Sequence, residues 1–120
     1  MRVLLGIATL TTSLLLGSAA PGVARPVHDD PTWRSADVGT AQQLRGLDAV
    51  DRDVAWVSGS AGGVWRTTDG GASWQDVSPP GAEGLAFRDV EATDATHAQV
   101  LAIGEADASR IYRTTDGEVT

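Results

Sequence analysis

From Trp33 onward the apolar residues come in short runs that alternate with polar ones and are cut by turn signals. That spacing predicts an all-β domain. Strands are expected over 33–38, 44–50, 54–58, 64–68, 73–77, 85–92, 99–104 and 110–115, with turns at 51–53 and 59–63. Period-2 alternation puts Val64 and Arg66 on one face of their strand, and Trp65 and Thr67 on the other. Asp69-Gly70-Gly71 supplies turn chemistry, because Asp accepts from nearby amides and Gly tolerates positive φ. Gln42, Gln43 and Arg45 carry a weak signal for a helical turn around residue 43.

The chain also repeats itself. Val64-Trp65-Arg66-Thr67-Thr68-Asp69-Gly70 recurs as Ile111-Tyr112-Arg113-Thr114-Thr115-Asp116-Gly117, an offset of 47. Upstream, Asp48-Ala49 is answered by Glu91-Ala92 at an offset of 43, which places a short insertion near residues 105–109. A period of about 40–50 residues with four short strands predicts propeller blades. The expected fold is therefore all-β: a partial β-propeller over 33–120, with about two four-stranded antiparallel blades. Blade one spans about 44–77 and blade two about 85–120, with 33–38 as one strand of a closing blade otherwise missing. Trp56, Trp65, Trp74 and Tyr112 are expected to supply the apolar area between blades. Two blades leave open faces and edges, so self-association of the isolated chain is expected.

Residues 67–74, Thr-Thr-Asp-Gly-Gly-Ala-Ser-Trp, resemble the Asp-box or BNR motif, Ser/Thr-x-Asp-x-Gly-x-Thr-Trp. That family builds β-propellers, among them sialidases, other glycosidases and the photosystem II assembly factor group. The resemblance implies a structural hairpin at the propeller rim, away from catalytic residues, carried by Thr67, Asp69, Gly71, Ser73 and Trp74. Thr114 and Asp116 stand at the matching positions of the second copy, where Glu118 replaces Gly71 and no Trp follows. A Cβ at a positive-φ turn position costs on the order of 1 kcal/mol. The whole is similar to a truncated relative of exported bacterial propellers.

Composition sharpens this picture in three ways. A formal charge of −7 argues against nucleic acid and anionic membrane surfaces as partners. Without cysteine there is no disulfide framework and no thiolate chemistry. Residues 1–24 pair a basic start with an apolar centre and small residues at the exit, as in a signal peptide cleaved after Ala19 or Ala24. Secretion or extracytoplasmic location is thus expected, with no stable membrane anchoring, and with 25–32 as a flexible leader. His28-Asp29-Asp30 reads as solvated tail rather than as a cation site.

Candidate chemistry is sparse. His28 lies in the leader and His97 in a turn, and neither has a nucleophile elbow nearby. The glycines at 59–63 lack a following helix and Lys, so they form no phosphate loop. Arg66 and Arg113 are equivalent by the repeat, which argues for a structural role over convergence on one substrate. Tyr112 matches Trp65, and Asp48, Asp89 and Glu91 form no assignable glycosidase pair. Asp69 and Asp116 read as turn acceptors. No cofactor or metal is expected. The reading is a non-catalytic binding or scaffold module with a protein or glycan ligand, docking at loops such as 51–53 and 94–97. Two alternatives remain: a fragment of a sialidase-type glycoside hydrolase, and a non-functional truncated product of a group often labelled oxidoreductase by resemblance.

Overall fold

The computed structural model describes residues 31–118 together with Gly17 and Gly22. The expected signal helix and the His28-Asp29-Asp30 cluster lie outside the described residues. Seven strands follow in order: β1 Leu44–Ala49, β2 Ala55–Gly59, β3 Val64–Thr67, β4 Gln75–Asp76, β5 Ala86–Ala92, β6 Ala98–Ile103 and β7 Arg110–Thr114. Among the described residues there is no helix, and the fold is all-β. The strands form two antiparallel sheets, β1-β2-β3-β4 and β5-β6-β7.

The sheets are built alike. Each begins with a hairpin whose turn is closed by an Asp side chain. Asp51 Oδ1 accepts from the amides of Asp53 and Val54, both at 2.8 Å. Its repeat partner Asp94 accepts from the amides of Thr96 and His97 at 2.7 and 2.8 Å. Each first strand also slips its register once, between Leu44 and Gly46 and between Phe87 and Asp89. Both irregularities sit 43 residues apart, so even the local bend of the strand is repeated.

The first sheet packs face to face on the second, with β5 against β1 and β2. Cross-strand pairing puts Asp48, Trp56 and Arg66 in one row, and Gly46, Ser58 and Val64 in the next. This face meets Phe87, Val90, Ala98, Val100 and Ala102, and the shared core includes fully buried Trp56, Val64, Phe87 and Val100. Phe87 and Tyr112 add a tilted ring pair 5.6 Å apart. Gly46 makes the close crossing possible. A Cβ there would lie 2.5 Å from Ser58 Oγ and 2.8 Å from the Val90 amide.

Several expectations need correction. Residues 33–38 form no strand, and Trp33 is 95% exposed. The physical reason is that no described strand offers this segment a ladder to join. The strand expected over 73–77 shortens to Gln75–Asp76 because the Asp69 turn holds residues before it. No helical turn forms at residue 43. Gln42 Oε1 instead accepts from the amides of Ala61 and Gly63, and Gln43 O from Ser60 N, which ties this segment to the β2–β3 turn. The second sheet has three strands where four were expected. Trp65 is buried, but on the face of the first sheet turned away from the second. There it lies over Gly59 and Gly63, and a Cβ at Gly63 would run into its indole.

The burial pattern ranks the tryptophans. Trp56→Ala should cost about 3–5 kcal/mol in urea unfolding, and Trp74→Ala less, because Trp74 is only half-buried. A Trp56→Ala protein that melts like wild type would contradict this core.

Candidate functional site

The motif residues form one hydrogen-bonded hairpin between β3 and β4. Thr67, at the end of β3, is buried on the Trp65 face. Its hydroxyl donates to Asp69 Oδ1 at 2.8 Å and accepts from the amides of Asp69 and Gly71 at 3.3 and 2.9 Å. Asp69 then closes the far side of the turn, accepting from Ser73 N at 2.8 Å and Ser73 Oγ at 2.5 Å. Gly70 and Gly71 cross this turn at φ of 69° and 86°, the left-handed region that favours glycine. The bonds from Ser73 and Thr67 hold the Asp69 carboxyl down at about 2. Thus Thr67, Asp69, Gly71 and Ser73 are brought together in one turn. Trp74 follows, half-buried, and lines a cavity of about 260 Å³ with Ala36, Leu47, Arg52, Thr67 and Gly71.

The second copy repeats the first half of this scheme. Thr114 Oγ1 donates to Asp116 Oδ1 at 2.9 Å and accepts from the amides of Asp116 and Gly117 at 3.4 and 3.1 Å. Glu118 donates its amide to Asp116 Oδ1, and this bond and the Thr114 hydroxyl lower the Asp116 pKa. Here the expected strain does not arise. Ala106 is the only non-glycine residue at positive φ among those described, so Glu118 avoids the conformation of Gly71. The turn changes shape instead, and Thr114 bonds the amide three residues on where Thr67 bonds four on.

Both hairpins are anchored to the neighbouring turn of their own sheet. Gly70 N donates to Asp53 O at 2.9 Å, and Gly117 N to Thr96 O at 2.8 Å. The motif turns and the Asx turns therefore share one rim of each sheet. His97 sits there with its ring exposed, Nδ1 about 3.0 Å from Asp94 Oδ2. Asp94 is held well below the ordinary carboxylate range, first by Thr96 and then by His97.

Sequence reasoning missed how the rim joins the sheets. Arg66 crosses from the first sheet to the second, donating through Nη1 to Ala95 O at 2.5 Å and Gly117 O at 3.3 Å, and through Nη2 to Gln75 Oε1 at 2.8 Å. Its guanidinium also lies 5.4 Å from the Trp56 ring. Trp56 Nε1 donates to Asp94 O at 3.0 Å, and Ala92 N to Asp48 Oδ2 at 2.6 Å. The repeat marked Arg66 as structural, but only the fold reveals its partners. Among the described residues no group of three His, Cys, Asp or Glu is placed to hold a metal. No protein-family model matches the chain, and no curated protein matches it significantly.

Two outcomes follow for the Thr67–Ser73 turn. Thr67→Val removes one acceptor shared by two amides and should cost about 1–3 kcal/mol in urea unfolding. The Asp69 pKa is depressed in the folded state, so its contribution is complete above pH 3.8 and fades as pH falls toward about 2. Melting temperature should therefore drop across that window, and less steeply in Asp69→Asn. Equal slopes for the two proteins would contradict the role given to Asp69.

Proposed function

We propose that this chain is an exported Asp-box propeller-type module that binds or scaffolds a partner and carries no catalytic chemistry of its own. The observation that supports this best is the duplication of one structural unit. Each sheet carries the same bulged first strand, the same Asp-closed turn, and a Thr-x-Asp hairpin bonded to that turn. Repetition of that kind serves to stack sheets and to present their turns along a common rim. The ligand in this reading is a protein or a glycan met by those turns.

Arg66 favours this reading over a sialidase-type hydrolase. A carboxylate-binding arginine must keep its guanidinium free for substrate. Arg66 instead donates to the carbonyls of Ala95 and Gly117 and to Gln75. Asp69 and Asp116, the carboxylates of the motif, are likewise engaged by their own hairpins.

Two measurements test the proposal. Intact-mass analysis of protein recovered outside the producing cell should give a chain beginning after residue 19 or 24. Incubation with a panel of fluorogenic glycosides should give no turnover above buffer. Retention inside the cell at full mass would overturn the export claim. Turnover abolished by Arg113→Ala would replace the module with an enzyme.

A further inference from the structure

The contact between the two sheets is directional, and each of its halves has a counterpart on the outside of the molecule. On the donor side, Asp48, Trp56, Val64 and Arg66 of the first sheet face the second. Their repeat partners on the second sheet are Glu91, Gln99, Ile111 and Arg113. These lie on its outer face, where Ile111 is 66% and Leu101 42% exposed. Arg113 is exposed, and its guanidinium makes no hydrogen bond among the described residues, while its backbone pairs with Gln99 in the sheet.

The acceptor side is duplicated too. Arg66 enters a nook formed by Ala95 O and Gly117 O, which the Gly117 N to Thr96 O bond draws together. A Cβ at Gly117 would lie 3.3 Å from Ala95 O and would collide with the Arg66 guanidinium. In the first sheet the equivalent atoms are Arg52 O and Gly70 O, drawn together by the Gly70 N to Asp53 O bond. A Cβ at Gly70 would lie 3.2 Å from Arg52 O and meet nothing else within 4 Å. Beside it, Leu47, Val57 and Trp65 occupy the places that Val90, Val100 and Tyr112 hold in the internal contact. Leu47 is 68% exposed, while Val57 and Trp65 are already buried within the protomer, so Leu47 carries the open apolar part of this face.

We propose that the outer face of β5–β7 docks a second copy of this chain head to tail, with Arg113 of one protomer seated between Arg52 O and Gly70 O of the next. The occupant is a second copy because the chain already contains both halves of the contact and uses the same pair once internally. Gln99 stands where Trp56 stands, so the apolar share of the external contact shifts to Leu101 and Ile111. The two faces differ, so the association is heterologous and extends to a ring or an open stack. This rests on the reading of the two sheets as copies of one stacking unit.

Sedimentation velocity over a concentration series should show reversible association of the purified chain. Arg113→Ala should weaken it at least about tenfold, and Ile111→Asp should abolish it, with far-UV spectra unchanged in both. Because the chain lacks cysteine, single thiols can report polarity. Mixing Gln99→Cys, which neighbours Arg113 on the outer face and leaves it in place, with Arg52→Cys in the presence of a short bismaleimide should link the two variants, while Gln99→Cys alone stays unlinked. A chain monomeric at every concentration, association untouched by both face variants, or efficient linking of Gln99→Cys to itself would each overturn the proposal. The internal copy is read separately. Arg66→Ala should lower the melting temperature of each protomer, and its doing so without any association would leave the repeat intact and sink only the docking.

Discussion

The structure depends on the burial of one sheet face against another across the Trp56–Arg66 row. Each sheet carries an apolar face, and the other sheet removes that face from water. Trp56 is fully buried at that layer, and its indole N–H is satisfied by a carbonyl of the opposing sheet. Arg66 lies over the same ring and ends on two carbonyls of the second sheet. Apolar burial supplies the driving force, and the three polar links fix which register of the two faces is allowed. A charged side chain works at this place because the carbonyls it meets belong to turns already closed by their own Asp residues.

Those turns also account for four of the sixteen acidic residues. Asp51, Asp69, Asp94 and Asp116 each accept amide hydrogen bonds within their own turn, and each has its pKa lowered by doing so. That quarter of the acidic residues is turn chemistry, ionised because the amides around it require an acceptor. The second hairpin shows how tolerant the device is. With Glu118 in place of a glycine, the turn moves one bond along and keeps its Thr and Asp acceptors.

Much of this was legible in the sequence because it is local. Alternation and turn residues located all seven described strands, missing boundaries mainly where the Asp69 turn took residues from β4. The 47-residue offset identified equivalent side chains before any coordinates, and Val64 and Arg66 do share a face. What the sequence hid is long-range. Trp65 and Trp56 look alike in an alternating run, yet they lie on opposite faces, and only the packing decides which one the second sheet covers. Residues 33–38 were expected as a strand but find no partner among the described strands. The destination of the Arg66 guanidinium, at backbone carbonyls 29 and 51 positions away, leaves no mark in side-chain identity.

If the two sheets are one cooperative unit joined through this face, damage to one must be felt in the other. Residue-resolved hydrogen exchange on Trp56→Ala tests this most directly. The account predicts that amides of β6, such as Val100, lose protection by as much as those of β2 and β3. Unchanged protection in β5–β7 beside loss confined to β1–β4 would contradict it.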